Sequence, residues 1–295
     1  MTLGLCKGVA VAAAFLLSSA VAHGQFVLTK DQMIAYTAKN PYERFPDGRP
    51  KVPDDLLEKV KGLVTEEVFG AVGSGGFRNQ FAGDWKILQP GKRLVGRAVT
   101  VQFMPARPDV ADAMQAEATA RGIGPLRNQT VIDMLGPNDV IVVDLFGKTD
   151  AGTFVGDKLA YYIWKTTGTG MVVDGGMFWL GKIIPTGMPA YFRGVGPSAL
   201  SNVMITGINI PIRIGNATVM PGDVVLGDEE GVFFIPPHLV KASIDAAENT
   251  KARDEWIKKK MDLRQYKSGE LYGRPKDPAL IKELDEYIKT HQPPK

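Results

Sequence analysis

The chain has 295 residues, 44% of them hydrophobic, with 35 basic and 32 acidic side chains and a formal net charge of +3. This is enough apolar material for one good-sized domain with extensions, and the near balance of charge does not point to nucleic acid as a partner. The one cysteine, Cys6, allows no internal disulfide.

Residues 1–24 read as a separate object. Lys7 supplies a positive start, Val9 to Leu17 an apolar run, and Ala20-Val21-Ala22 a small-residue cleavage site, the pattern of a secretory signal peptide cut after Ala22 or Gly24. The apolar run falls short of the roughly 20 residues a membrane span needs, so stable membrane insertion is not expected. The expected location is a bacterial periplasm, where cysteine-free exported proteins rely on a large core.

From 25 to 53 the chain is polar and aromatic, and Asn40 to Pro50 is dense in turn residues, which predicts an irregular arm. Asp54 caps a predicted helix with Leu56, Leu57, Val60, Leu63 and Val64 at helical spacing, ending near Gly70. Val72 to Phe81 is glycine-rich, but no Gly-Lys-Ser/Thr follows, so it is read as a flexible turn and not as a phosphate cradle.

Strand and helix then alternate. Leu94 to Val101 is a strand, Asp109 to Ala120 a helix, Val131 to Leu135 a helical turn, and Asp139 to Asp144 a second strand. Gly156-Asp157-Lys158-Leu159-Ala160 is a loop entering a helix that spans Phe154 to Thr166. Met171 to Val173 is a short strand that stops on Asp174-Gly175-Gly176, and ligands of α/β folds collect at such strand ends. Short β-type runs follow at Met188 to Phe192, Ile208 to Ile214, Val224 to Leu226 and Val232 to Ile235.

Pro237 opens a long helix, His238 to Met261, with Leu239, Ile244, Ala247 and Trp256 among its apolar positions. The Lys258-Lys259-Lys260 run on it reads as a solvated face. The remaining segment, 262–295, is charged and weakly periodic, and is expected to pack on a neighbour or fray. The expected organisation is therefore an arm at 25–53, a domain at 54–261 and a tail at 262–295.

Several chemistries find no support. His238 and His291, the histidines outside the leader, lie near a helix start and in the tail, and no His-Glu-x-x-His or triad spacing occurs. Gly168-Thr169-Gly170 is half of a dinucleotide fingerprint, but it precedes a strand where that fingerprint follows one.

Four motifs in order carry a resemblance. They are Gly156-Asp157-Lys158-Leu159; Val172-Val173-Asp174-Gly175-Gly176-Met177-Phe178-Trp179; Pro189 to Gly194; and Pro221-Gly222-Asp223 followed by Asp228 to Val232. Together, over Leu94 to Pro236, the chain resembles the RraA-like family. The resemblance implies an α/β fold, a swivelling β/β/α sandwich, assembled as a homotrimer or homohexamer with the active site between subunits. It implies a class II aldolase dependent on Mg²⁺ or Mn²⁺ that cleaves 4-hydroxy-4-methyl-2-oxoglutarate and decarboxylates oxaloacetate. In that pattern an arginine grips the substrate carboxylate and an aspartate ligates the metal; here those positions hold Phe178 and Trp179.

The same resemblance gives the acidic residue at Asp157 the task of orienting a metal-bound water, and gives the neighbouring N–H groups of Gly156 to Leu159 the substrate oxygens. The plainer reading of Asp157 is a helix cap. Lys158 is a candidate carboxylate partner or Schiff-base amine. Asp174, Asp144 and Asp150 are candidates to rebuild a metal site beside Asp157, or else ordinary strand-end turn residues. Asp254 and Glu255 stand where a partner subunit of the family donates an acid. Phe178 and Trp179 either fill a vacated pocket or form an aromatic wall for a less acidic ligand. The readings left open are an exported oxo-acid lyase with an altered site and a binding or scaffold protein of the same fold. Regulation of ribonuclease E, a cytoplasmic partner, fits a signal peptide poorly.

Overall fold

The computed structural model describes residues 26–150 and 153–291, so the signal peptide expected at 1–24 lies outside the described residues. The chain begins with α1 (Lys30–Tyr36), α2 (Asp54–Lys61) and α3 (Thr65–Ser74), then the two-residue strands β1 (Phe81–Ala82) and β2 (Lys86–Ile87). The central run is β3 (Leu94–Pro105), α4 (Pro108–Ala120), α5 (Asn128–Ile132), β4 (Asp139–Lys148), α6 (Asp157–Thr167), β5 (Gly170–Met177), α7 (Leu180–Ile183) and β6 (Ala190–Val195). There follow β7 (Val203–Ile208), β8 (Ile212–Ile214), β9 (Ala217–Val219), β10 (Val224–Gly227), β11 (Val232–Ile235), α8 (Val240–Asp262), α9 (Ser268–Leu271) and α10 (Pro278–His291).

Among the described residues one nine-stranded mixed sheet runs β1-β11-β10-β3-β4-β5-β6-β2, with β7 added antiparallel to the far half of β3. Strands β3 to β6 are parallel, and the β10–β11 hairpin joins β3 antiparallel. Their side chains alternate between faces as strand geometry requires. Ile141, Val143, Met171 and Val173 pack with Ala160 and Ile163 of α6 on one face. Val140, Val142 and Val172 meet Ile212, Ile214, Ala217 and Val219 of the β8–β9 hairpin on the other. The layers are therefore β/β/α, as expected. Burial of both faces explains why these strands read as apolar runs. At Gly170 a Cβ would stand 2.0 Å from the carbonyl oxygen of Pro189, so only glycine lets β5 start beside the approach to β6.

The structure corrects the sequence reading at four places. The arm at 25–53 is not wholly irregular: Thr29 accepts from the Gln32 N–H, while the Gln32 side chain accepts from the Thr29 N–H, a capping box that starts α1. The helix expected from Asp54 to near Gly70 is two helices, with α2 closing at Gly62 and α3 running past Gly70 to Ser74. Strand β5 does not stop at Asp174 but continues to Met177, with a register shift against both neighbours. The tail, weakly periodic in sequence, is helical over Ser268–Leu271 and Pro278–His291. Leu271, Leu280 and Leu284 bury against Trp256 and Ile257 of α8, forming a helical hairpin of its own.

Two arginines fasten the arm. Arg49 makes a two-pronged, buried pair with Asp139 at 2.7 and 3.2 Å, and Arg97 donates to the Val52 carbonyl and, at 2.7 Å, to Asp54. No helix among the described residues is long and apolar enough to cross a membrane.

Candidate functional site

The amino end of α6 and the carboxyl end of β5 meet at one cleft. Gly156 is the N-cap of α6 in extended geometry (φ −95°, ψ −176°), and Asp157 is the first helical residue. The Gly156 carbonyl accepts from the Ala160 N–H at 3.0 Å, while no side chain caps the helix. Asp157 therefore is not the N-cap. The opening N–H groups of a helix have no intrahelical acceptor, and the helix dipole makes this end favourable for an anion or a polarised carbonyl.

The cleft holds about 440 Å³ and is lined by Asn128, Gln129, Thr153 to Leu159, Phe178, Trp179, Ala199 and Leu200. Gly156, Asp157, Lys158, Leu159, Phe178 and Trp179, all singled out in the sequence, thus come together. Asn128 and Leu200 do not stand out in the sequence, because α5 and the turn before β7 carry them in from elsewhere along the chain, and Thr153, in the loop ahead of α6, belongs to no motif. Asn128 donates to the Phe154 carbonyl at 2.7 Å and Thr153 to the Ser198 carbonyl at 3.2 Å, which holds the loop ahead of α6.

Phe178 is half-buried, and its ring lies across Gly156, where an added Cβ would stand 3.1 Å from Cζ. It meets Trp179 edge-on, with centroids 6.1 Å apart at 66°. Trp179 is 49% exposed at the rim. Its backbone is left-handed (φ 58°), a conformation costly for a bulky residue. Its carbonyl accepts from the Lys182 N–H at 2.8 Å, and the Lys182 ammonium sits 4.3 Å from the ring centroid. Position 178 is thus an aromatic wall, and position 179 is an aromatic rim with no metal-binding oxygen. Lys158 is exposed beside them.

Asp174 does not reach this cleft. The strand alternation that sends Val173 toward α6 sends Asp174 to the opposite face, where it accepts from Arg193 Nε at 2.6 Å. Arg193 also donates to the Gly83 carbonyl at 2.6 Å and lies 3.5 Å from the Trp85 ring centroid. Asp144 stands in register beside Asp174, its carboxyl raised above the usual range by burial and by the Asp174 charge. Asp150 is exposed and paired with Lys148 at 3.6 Å. Asp254 and Glu255 lie on α8, where Glu255 pairs with Lys259 at 2.8 Å; neither lines the cleft.

Mg²⁺ or Mn²⁺ needs converging oxygen donors. Among the described residues that line the cleft Asp157 is the one carboxylate, and among the described residues no group of three or more His, Cys, Asp or Glu is placed to hold a metal ion. Within one subunit, with Trp179 in place of the ligating aspartate, the described residues do not fit the metal that the resemblance implies.

The RraA-like family, described as Aldolase/RraA, matches residues 65–234, more than half of the chain. A Halalkalibacterium halodurans protein provisionally named 4-hydroxy-4-methyl-2-oxoglutarate aldolase is 32% identical over 120 residues, which are 40% of this chain and 56% of that protein. Protein DlpA of Legionella pneumophila is 24% identical over 205 residues, 69% of this chain and 31% of its own length. The chain thus spans less than two thirds of either of these relatives. Among solved structures, Streptomyces coelicolor RraAS2, titled an unusual member of the RNase ES inhibitor RraA protein family, aligns with a TM-score of 0.60 at 25% identity, covering 74% of this chain and 99% of its own. A Pseudomonas syringae protein aligns with a TM-score of 0.60 at 21% identity over 85% and 98%, a likeness of fold. With its β/β/α layers and its motifs in the order that the matched span requires, this chain belongs to the RraA-like family.

Proposed function

We propose that this protein binds a small oxo-acid or a related carbonyl ligand at the amino end of α6, and that it does so without the family's metal-assisted lyase chemistry. One observation carries the reading: the Phe178 ring lies on Gly156, where the family pattern places a carboxylate-gripping arginine. Ligand oxygens would meet the opening N–H groups of α6, a task independent of side-chain identity. Lys158 would supply the positive charge, and Phe178 the wall for the ligand's apolar part. An arginine–carboxylate fork is worth about 1.5–3 kcal/mol, so affinity resting on Lys158 and backbone alone is expected to be weaker than in a relative that keeps the fork.

Export to a periplasm, supported by the pattern at residues 1–24, and assembly as a homotrimer or homohexamer belong to the same proposal. Light scattering of the purified chain tests the assembly. Amino-terminal sequencing of protein from a bacterial periplasmic fraction tests the export.

The binding test is calorimetric titration with pyruvate and oxaloacetate, with and without Mg²⁺ or Mn²⁺, alongside an assay of pyruvate release. Saturable binding that needs no metal and is weakened by Lys158→Ala, with pyruvate release at the spontaneous rate, is the expected result. Absence of oxo-acid binding overturns it. The aldolase name of the Halalkalibacterium halodurans relative favours a second reading, a lyase acting on the same oxo-acids through an altered site. Pyruvate release accelerated by the protein and by Mg²⁺ or Mn²⁺ would install that reading instead.

A further inference from the structure

A second cavity, of about 430 Å³, lies under the amino-terminal arm, between the stretch that ends α1, the β9–β10 turn and the entry to α8. Tyr36, Phe77, Pro236 and His238 are among its walls, and Asp223 lies on its floor. The Phe77 and His238 rings meet edge-on with centroids 5.4 Å apart. The outer wall is fixed in place: Arg44 donates to the Thr37 hydroxyl at 2.7 Å, to the Thr37 carbonyl at 2.8 Å and to the Gly48 carbonyl at 2.7 Å. A preformed, mostly apolar cavity of this size with a few polar groups is the usual form of a small-molecule site.

Asp223 gives the cavity its chemistry. Only 3% of the residue is exposed, and its carboxylate accepts one hydrogen bond, from the Met220 N–H to Oδ2 at 2.8 Å. That bond holds the turn between β9 and β10, and an asparagine oxygen would hold it as well. The second oxygen, Oδ1, has no partner among the described residues. Oδ1 is not sealed off from the cavity, so a donor brought there gains from it, and more so when the carboxyl is charged. The other ionisable groups on the walls are Tyr36 and Lys39, both exposed at the rim, and His238, whose imidazole burial and Lys39 push below its usual range. Asp223 is therefore the one buried group that can carry a negative charge there. A ligand carboxylate would face it unfavourably, whereas an ammonium would complete its hydrogen bonding.

We propose that this cavity is a binding site, separate from the α6 cleft, for a small organic amine with an apolar body: the ammonium meets Oδ1 of Asp223, and the body lies among Tyr36, Phe77 and His238. Nothing in this depends on the ligand bound at α6.

Calorimetric titration of the full chain with benzylamine tests it, with benzyl alcohol and benzoate as controls. Saturable binding of benzylamine and none of benzoate is expected. Asp223→Asn keeps the bond to Met220 and should weaken benzylamine at least about tenfold, the loss of one charge-assisted hydrogen bond. Ala35→Trp, at an exposed position on the cavity lip, should abolish binding without touching Asp223, and it decides the matter if Asp223→Asn misfolds. Phe178→Ala, in the other cleft, should leave the affinity for benzylamine unchanged. Failure of benzylamine to saturate, equal binding of benzoate, or an Ala35→Trp protein that binds benzylamine as before would each overturn the proposal.

Discussion

Phe178 rests its ring on Gly156, so close that a methyl group on Gly156 would lie 3.1 Å from Cζ. The residue that follows β5 and the residue that caps α6 thus set the shape of the cleft between them. Gly156→Ala must push the ring aside. Its expected stability cost is about 1 kcal/mol, because alanine is a poor N-cap and the ring is half-buried. Its effect on oxo-acid binding should be larger than that cost. Thermal denaturation and calorimetry on the same sample separate the two, and unchanged affinity would show that the ring is not part of the site.

Trp179 occupies a left-handed conformation that aspartate tolerates better than a bulky aromatic does. Trp179→Asp should therefore change stability by no more than about 1 kcal/mol, relief of backbone strain offsetting the lost contacts with Phe178 and Lys182. Combined with Phe178→Arg, it should confer Mg²⁺- or Mn²⁺-dependent release of pyruvate from oxaloacetate. A stable double variant without that activity would show that more of the site has changed than these two side chains.

Asp174 is engaged in structure. Asp174→Ala leaves Arg193 without its carboxylate on a largely buried face, at an expected cost of about 3 kcal/mol in denaturant unfolding. Oxo-acid affinity per folded molecule should stay at the wild-type value. A selective loss of ligand binding would return Asp174 to the functional site.

Asp223 makes stability depend on pH. Burial raises its carboxyl from 3.8 to about 7. Between those values the folded chain holds a proton that the unfolded chain has released, so this group's contribution to stability falls as pH rises through the window. His238, pushed down by burial, acts in the opposite sense just below its ordinary value of 6.5. The clean measurement is the difference between wild type and Asp223→Asn in urea unfolding at pH 4.5 and pH 7.5. The variant should gain stability relative to wild type at the higher pH, and a pH-independent difference would contradict the assignment.

The carboxyl-terminal hairpin has a core of its own, Trp256, Ile257, Leu271, Leu280 and Leu284. Leu284→Ala should weaken it by about 2–5 kcal/mol, opening α10 locally and leaving the sheet intact. Hydrogen exchange checks this: amides of α10 should lose protection while those of β4 and β5 keep theirs. Uniform loss across the chain would show that the hairpin and the sheet unfold together.

The central strands and helices were legible because local forces set them. Ile141, Val143 and Val173 belong to apolar runs that only a strand covered on both faces accommodates, and Gly156-Asp157 marks the entry to α6 before any neighbour is known. Phe178 and Trp179 could likewise be placed at the site by their motif alone. Smaller local signals, such as the Thr29–Gln32 capping box and the spacing of Leu280 and Leu284, set the first and last helices. What no local pattern contains is the face each strand end presents and the partners brought to it. Asp174 and Phe178 are four residues apart, one inside β5 and one just past its end, yet one meets Arg193 of the neighbouring β6 and the other covers the start of α6. The shifts in register along β5 and the return of the chain through β6 decide that, and so does the arm that closes over Asp223. Sequence chose the residues of the cleft; tertiary structure decided that its carboxylates do not converge there.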